Sequence, residues 1–276
     1  MSDKALEQKL KSKLKKISKQ QGIVFNKLLE TLFLERVLVR VSKSKFRDRL
    51  IFKGGLCLAQ TINLGRETKD IDFLLREIKD GEDYLKAVFK DICDIKHSDG
   101  FDFFNPDVQQ LSLEHKKYPG YRIALDGRLG KIKNKVTIDV GLGDVVLPTI
   151  LNLELLSDGE PLFEDSISLT SYPPEFIFSE KLEAILWLRE SNGRMKDYYD
   201  CHKLIIENAL NKNKLESALV QTFKTRGTKL EPIPETFAHA LESRWVSFRR
   251  KENLEQKSLN DIISEINTYL KELATS

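Results

Sequence analysis

The sequence predicts an α/β (α+β) unit with a mixed sheet over residues 1–170, followed by a helical bundle over residues 171–276. Three observations predict this. A short apolar run, Leu50-Ile51-Phe52, leads into Lys53-Gly54-Gly55, a helical segment, and then Asp70-Ile71-Asp72 at the head of a second apolar run. From Phe101 to Gly143 the apolar residues recur with the period of strands. Beyond Tyr172-Pro173-Pro174, a strong breaker, every segment reads as helix. Strands followed by a run of helices fit an α+β layer joined to a separate helical one.

The elements follow in order. Leu6, Leu10, Leu14 and Ile17 make a narrow helical stripe over residues 5–20, broken at Gly22, and Ile23–Val41 reads as a long helix rich enough in apolar residues to lie against a sheet. A strand at Leu50–Phe52, a helix at Leu56–Leu64, a strand at Asp70–Leu75 and a helix over 82–94 come next. Gln110–Glu114 and Tyr121–Leu125 alternate, as does Val136–Val140, which places Thr137 and Asp139 on the face opposite Val136, Ile138 and Val140. Residues 152–165 read as extended and partly looped, and helices are expected over 175–190, 196–209, 213–224, 235–250 and 259–273.

A chain of 276 residues with 32% charged and 41% hydrophobic residues is sized for two ordinary globular domains. A net charge of +3 does not by itself call for nucleic acid, but seven lysines between Lys4 and Lys19 are opposed only by Glu7. That arm is either a solvated helix face or a contact to RNA or DNA. Cys57, Cys93 and Cys201 are sparse, odd in number and without metal-ligand spacing, which fits a reducing cytoplasm. No stretch has the length and apolarity of a membrane span or a signal peptide. The histidines His97, His115, His202 and His239 lack the partners of a triad or zinc site.

The chemistry concentrates in two places. Gly54 and Gly55 let backbone N–H groups approach phosphate oxygens. Asp70 and Asp72, one residue apart on a strand, point to one face and suit Mg²⁺ held against a triphosphate. Asp139 adds a third carboxylate on another strand, or is a solvent-facing acid. In the helical half, Lys181 falls on the apolar stripe with Ile177, Ala184 and Ile185, while Glu180 and Glu183 fall on the other side. Lys181 either snorkels at the rim of that stripe or reaches a phosphate. Asp197 lies in a first helical turn, where the macrodipole alone would favour it, with Arg194 and Lys196 beside it. Phe223, Arg226, Trp245, Phe248, Arg249 and Arg250 read either as helix core plus solvated arginines or as an RNA-stacking surface.

Five blocks in fixed order carry a family resemblance. They are Lys53-Gly54-Gly55, Arg66-x-Thr68-x-Asp70-x-Asp72, Ile138-Asp139-Val140-Gly141-x-Gly143-Asp144, Glu180-Lys181-Leu182-Glu183-Ala184 and Arg194-Met195-Lys196-Asp197-x-x-Asp200. The chain resembles the AbiEii/AbiGii-type nucleotidyltransferase toxins, a group that includes the MenT toxins. The resemblance implies a polymerase-β-like nucleotidyltransferase domain with a helical C-terminal domain, acting in phage defence or a toxin–antitoxin pair. It implies Mg²⁺ and an NTP, GTP or CTP, with the tRNA 3′ end or other RNA as acceptor and a cognate antitoxin as partner. On the family pattern Asp70, Asp72 and Asp139 are metal ligands, and Lys181 and Asp197 join them as catalytic residues. Lys53, Gly54, Gly55, Arg66, Thr68, Lys181, Arg194 and Lys196 hold the nucleotide. Gly55 departs from the wider superfamily, where the glycine motif often ends in serine, so backbone N–H groups must supply the phosphate contact. A module that binds but does not catalyse, or a transferase acting on a protein or small molecule, shares the same residues.

Overall fold

A computed structural model describes residues 3–76, 81–111, 119–254 and 257–275. The far end of the expected strand Gln110–Glu114, and His115, lie outside these residues. The chain opens with helices α1 (Asp3–Gln21) and α2 (Phe25–Lys43), as the two apolar stripes predict. Leu10, Leu14 and Ile17 of α1 are buried, so the lysine-rich arm is a packed helix, with Lys9, Lys15, Lys16 and Lys19 exposed. Lys13 and Lys16 lie within ion-pair distance of Asp158.

Strand β1 (Leu50–Lys53), helix α3 (Gly54–Ala59), strand β2 (Asp70–Leu75) and helix α4 (Glu82–Cys93) follow, then β3 (Phe101–Leu111), β4 (Gly120–Leu129), β5 (Ile132–Leu142), β6 (Thr149–Asn152) and β7 (Ser168–Ser171). They form one mixed sheet in the order β3-β4-β5-β2-β1-β7-β6. β2 runs parallel to β5 and β1 parallel to β7, and the other pairs are antiparallel. Ile71, Phe73, Ile123, Leu125, Ile138 and Val140 project to one face and are buried, where α2 and α4 pack on the sheet. Two arginines of α2 sit inside this layer, and both are paired: Arg40 makes bonds of 2.9 Å to both oxygens of Asp99, and Arg36 lies 2.5 Å from Asp165. Such cations are tolerated in a core because each finds a carboxylate.

Two local expectations change. The helix expected over Leu56–Leu64 spans Gly54–Ala59 instead and starts at the glycine pair itself. The extended stretch near residue 152 contributes β6, whose partner β7 the sequence pattern did not mark as a strand.

After Pro173 the chain is helical: α5 (Pro174–Leu188), a 3₁₀ turn at Arg189–Ser191, α6 (Met195–Ile206), α7 (Lys212–Arg226), α8 (Thr236–Glu252) and α9 (Leu259–Thr275). Pro174 occupies the first helical position of α5, where its missing N–H costs nothing. The Asn211 side chain caps α7 by accepting the Lys214 N–H at 3.1 Å, and Gly227, at φ +69°, ends it. α5 is buried on nearly every side, packed on α6, α7 and α3, and so joins the bundle to the sheet. The three cysteines are free and buried. Among the described residues no helix is long and apolar enough to cross a membrane.

Candidate active site

Four charged residues stand in one row across four adjacent strands. Lys53 of β1 pairs in register with Asp72 of β2, Asp72 with Asp139 of β5, and Asp139 with Arg122 of β4. Residues directly opposite in register share a face, so the row reads +, −, −, + on the side away from the core. Asp70 lies one step along, opposite Thr137. The two carboxylates of Asp-x-Asp therefore do share a face, and the third stands on the neighbouring parallel strand.

The glycine turn abuts this row. Gly54 has φ +75°, and a Cβ there would collide with the Asp72 carboxylate. Only glycine satisfies both demands. A Cβ on Gly55 would lie 3.0 Å from the Thr68 methyl and 3.3 Å from the Arg66 guanidinium. The turn and the carboxylates open on a cleft of about 430 Å³ between the sheet and helices α5, α6 and α8. Lys53, Gly54, Gly55, Arg66, Thr68, Asp70 and Asp72 line it from the sheet side, and Lys181, Arg194 and Lys196 from the helices. Asp139 and Asp197 are not on its wall. Arg122 holds Asp139 with two bonds of 2.8 Å. Asp197 is fully buried behind Lys181 and Arg194.

The cations of the cleft differ in how far they are committed. Lys181 Nζ lies 2.8 Å from both Asp197 and Asp200. Arg66 donates to both oxygens of Asp200, at 2.7 and 2.6 Å. Burial would raise the Asp197 carboxyl, but Lys181 and Arg194 bring it down to about 2. Burial would lower Lys181, and its two aspartates hold it above the usual lysine range instead. Lys196, in the first turn of α6, has no ion-pair partner among the described residues, and burial together with Lys181 and Arg194 lowers its pKa. Lys196 thus keeps an uncommitted ammonium on the cleft wall. Burial raises Asp72, with Asp139 adding to the effect, while Lys196 and Lys53 oppose it.

Residue patterns missed part of the site. Glu180 receives Lys53 at 2.7 Å and lies on the cleft wall, although helical projection put it on the solvent side. The projection failed because α5 is enclosed on nearly all sides. Arg226, one of the arginines read as either solvated or RNA-facing, is buried between Asp144, at 3.1 Å, and Glu183, at 2.8 Å. Asp144 follows a glycine-bracketed strand end, and only the family block that contains it singled it out. Phe223 and Trp245 are core, which removes most of the RNA-stacking cluster, while Phe248 lines the cleft.

The donor set suits Mg²⁺, which prefers oxygen ligands and commonly takes one or two carboxylates plus substrate phosphates. Asp70 and Asp72 supply such a pair on the wall of the cleft. Among the described residues no three His, Cys, Asp or Glu side chains converge to hold a metal ion, and Asp139 is engaged by Arg122.

A glycine turn beside Asp-x-Asp, with a third aspartate on the parallel neighbour strand, defines a nucleotidyltransferase. The family model described as "Nucleotidyl transferase AbiEii toxin, Type IV TA system" matches residues 36–269. The chain belongs to this AbiEii family and is a nucleotidyltransferase. Its fold is shared with the solved structure of MenT4, a nucleotidyltransferase toxin from Mycobacterium tuberculosis H37Rv, at a TM-score of 0.59 and 16% identity, covering 90% of this chain and 85% of that one. Two Helicobacter pylori structures are more distant. JHP933 gives a TM-score of 0.48 at 16% identity over 90% and 92% of the two chains. A candidate nucleotidyltransferase gives 0.49 at 14% over 91% and 95%. No curated protein sequence matches the chain.

Proposed function

We propose that this toxin-family enzyme is Mg²⁺-dependent, acts in the cytoplasm and transfers a nucleotide from an NTP to the 3′ end of RNA, with tRNA the first acceptor to test. The observation that carries the reading is the register row Lys53–Asp72–Asp139–Arg122 beside the Gly54 turn. Backbone N–H groups at Gly54 and Gly55, at the start of α3, meet the β- and γ-phosphates, and Lys196 neutralises them from the helical side. Asp70 and Asp72 are the residues to hold Mg²⁺, which when bound neutralises triphosphate charge and eases deprotonation of an attacking hydroxyl. Asp139, on β5, stands across Asp72 from β1 and its glycine turn, and is assigned the acceptor side. The acceptor hydroxyl gives up its proton to solvent, its oxygen bonds to the α-phosphorus, the bond from that phosphorus to pyrophosphate breaks, and pyrophosphate leaves. Lys181 on the cleft wall and Asp197 buried behind it fix α5 to α6 so that Lys196 and Arg194 reach the cleft. The family's type IV pairing extends to this chain as an antitoxin partner.

Incubating the protein with each labelled NTP, GTP and CTP first, and total tRNA, then separating products on a gel, tests the reading. Label on RNA that disappears in Asp72→Ala supports it. Transfer that survives in Asp72→Ala would refute the site, and label on protein or a small molecule would refute the acceptor.

A further inference from the structure

The side of the sheet away from the core is open to solvent across β3, β4 and β5. Its residues continue directly from the carboxylate row. From Asp139 the same face of β5 carries Thr137, Lys135 and Lys133, a track about 20 Å long at the usual strand rise. Lys133 and Lys135 are exposed and have no ion-pair partner among the described residues. Lys133 is in register with Arg128, and Arg128 with Asp102, to which it is bonded at 2.8 Å. Lys135 is in register with Asp126, and Asp126 with Phe104. Phe104 keeps 36% of its surface exposed on this face, and the Arg128 guanidinium lies 5.9 Å from its ring centre. The acids here are Asp102, paired to Arg128, Asp107, and Asp126, which accepts from Asn105 at 3.1 Å.

An exposed phenylalanine does nothing for the core on the other side of the sheet. An aromatic ring on an open sheet face, with uncommitted lysines two strands away on the same face, is the chemistry that stacks an unpaired base and meets backbone phosphates. We propose that this face of β3–β5 is the platform for the single-stranded 3′ segment of an RNA acceptor. Phe104 stacks one base, Lys133 and Lys135 meet phosphates, and the terminal hydroxyl is delivered past Arg122 to Asp139. The inference rests on the RNA-acceptor reading above and adds the surface that binds it. Duplex RNA is not the expected ligand, because its bases are not available to a flat ring.

Fluorescence anisotropy of labelled total tRNA without NTP, over a range of salt, tests the platform separately from catalysis. Phe104→Ala is expected to weaken binding on the order of tenfold, and Phe104→Tyr to restore it. Lys133→Ala with Lys135→Ala is expected to reduce the slope of log affinity against log salt by about 1.4, the single-strand value for two phosphates. Lys224→Ala, an exposed lysine of α7 off this face, is expected to change neither, and nucleotide binding is expected to be unaltered in every variant. If wild-type protein binds and labels tRNA but the face variants match it, the platform is wrong and the RNA reading stands. If wild-type protein neither binds nor labels RNA, both fail.

Discussion

Arg122 and Asp139 face each other directly across β4 and β5, joined by two bonds of 2.8 Å. The Arg122 side chain is 48% exposed, so the pair is worth no more than about 1 kcal/mol and is readily exchanged. It nevertheless commits both oxygens of the third carboxylate to a guanidinium instead of a metal cation. Replacing Arg122 with Gln is therefore expected to tighten Mn²⁺ binding to nucleotide-free protein by up to about fivefold in an electron paramagnetic resonance titration. Asp139→Asn is expected to weaken it. Equal affinities in both variants would mean that Asp139 takes no part in holding the cation.

Lys181 is tied to two buried carboxylates, Asp197 and Asp200, both fully enclosed. Removing its charge leaves those acids with Arg194 and Arg66 alone. Breaking a buried pair in this way costs about 3–5 kcal/mol. Lys181→Met is thus expected to lose stability of that size in urea unfolding, together with activity. A variant that melts like wild type yet transfers no nucleotide would instead place the Lys181 ammonium on the nucleotide itself.

The Asp-x-Asp face and the Val136–Val140 alternation were legible because strand periodicity depends only on neighbours along the chain. That Asp139 would stand opposite Asp72 depends on β5 inserting beside β2, a pairing between distant segments that no local pattern encodes. Arg122 was illegible for the same reason, since its only link to the site is a register. Lys181 was correctly placed among buried residues, but its partners sit on α6, and helix–helix contact decides them. Glu180 was misplaced because α5 has almost no solvent side. The family blocks did bring Asp144, Glu180 and Asp200 into view, without saying which cations they would hold.

Gly54 offers a sharper test of the cleft's geometry. Its φ of +75° and its overlap with the Asp72 carboxylate act together, so Ala here must both strain the backbone and displace a proposed ligand. The backbone strain alone is worth about 1–2 kcal/mol. Gly54→Ala is expected to lower transfer by at least about a hundredfold, since several kcal/mol of transition-state charge stabilisation depend on the cation site. Gly55→Ala, at ordinary φ with its Cβ against the Thr68 methyl, is expected to cost much less. Comparable losses at the two positions in a kcat/KM assay would remove the special role given to Asp72.

Stability should also carry the mark of one acid far from the cleft. Glu35 lies buried on α2, where one oxygen accepts the Leu156 N–H at 2.8 Å and the other has no hydrogen-bond partner among the described residues. Burial pushes its carboxyl up to about 7, against the partial relief of the Leu156 bond and Arg36. A folded-state pKa above the unfolded one means the folded protein holds the extra proton. The protonated form's stabilisation is complete below the unfolded value near 4.5 and is lost as pH rises through about 7. Between those limits the slope is about 1.4 kcal/mol per pH unit, and the whole effect is about 3 kcal/mol. Asp197, held near 2, titrates below this window and does not mask it. Glu35→Gln keeps an acceptor for Leu156 but cannot ionise. Urea unfolding at pH 5, 6, 7 and 8 is therefore expected to show wild type weakening across the range and Glu35→Gln holding level, the two diverging most at pH 8. Parallel curves would mean that Glu35 is ionised in the folded protein throughout, with its second oxygen satisfied by solvent.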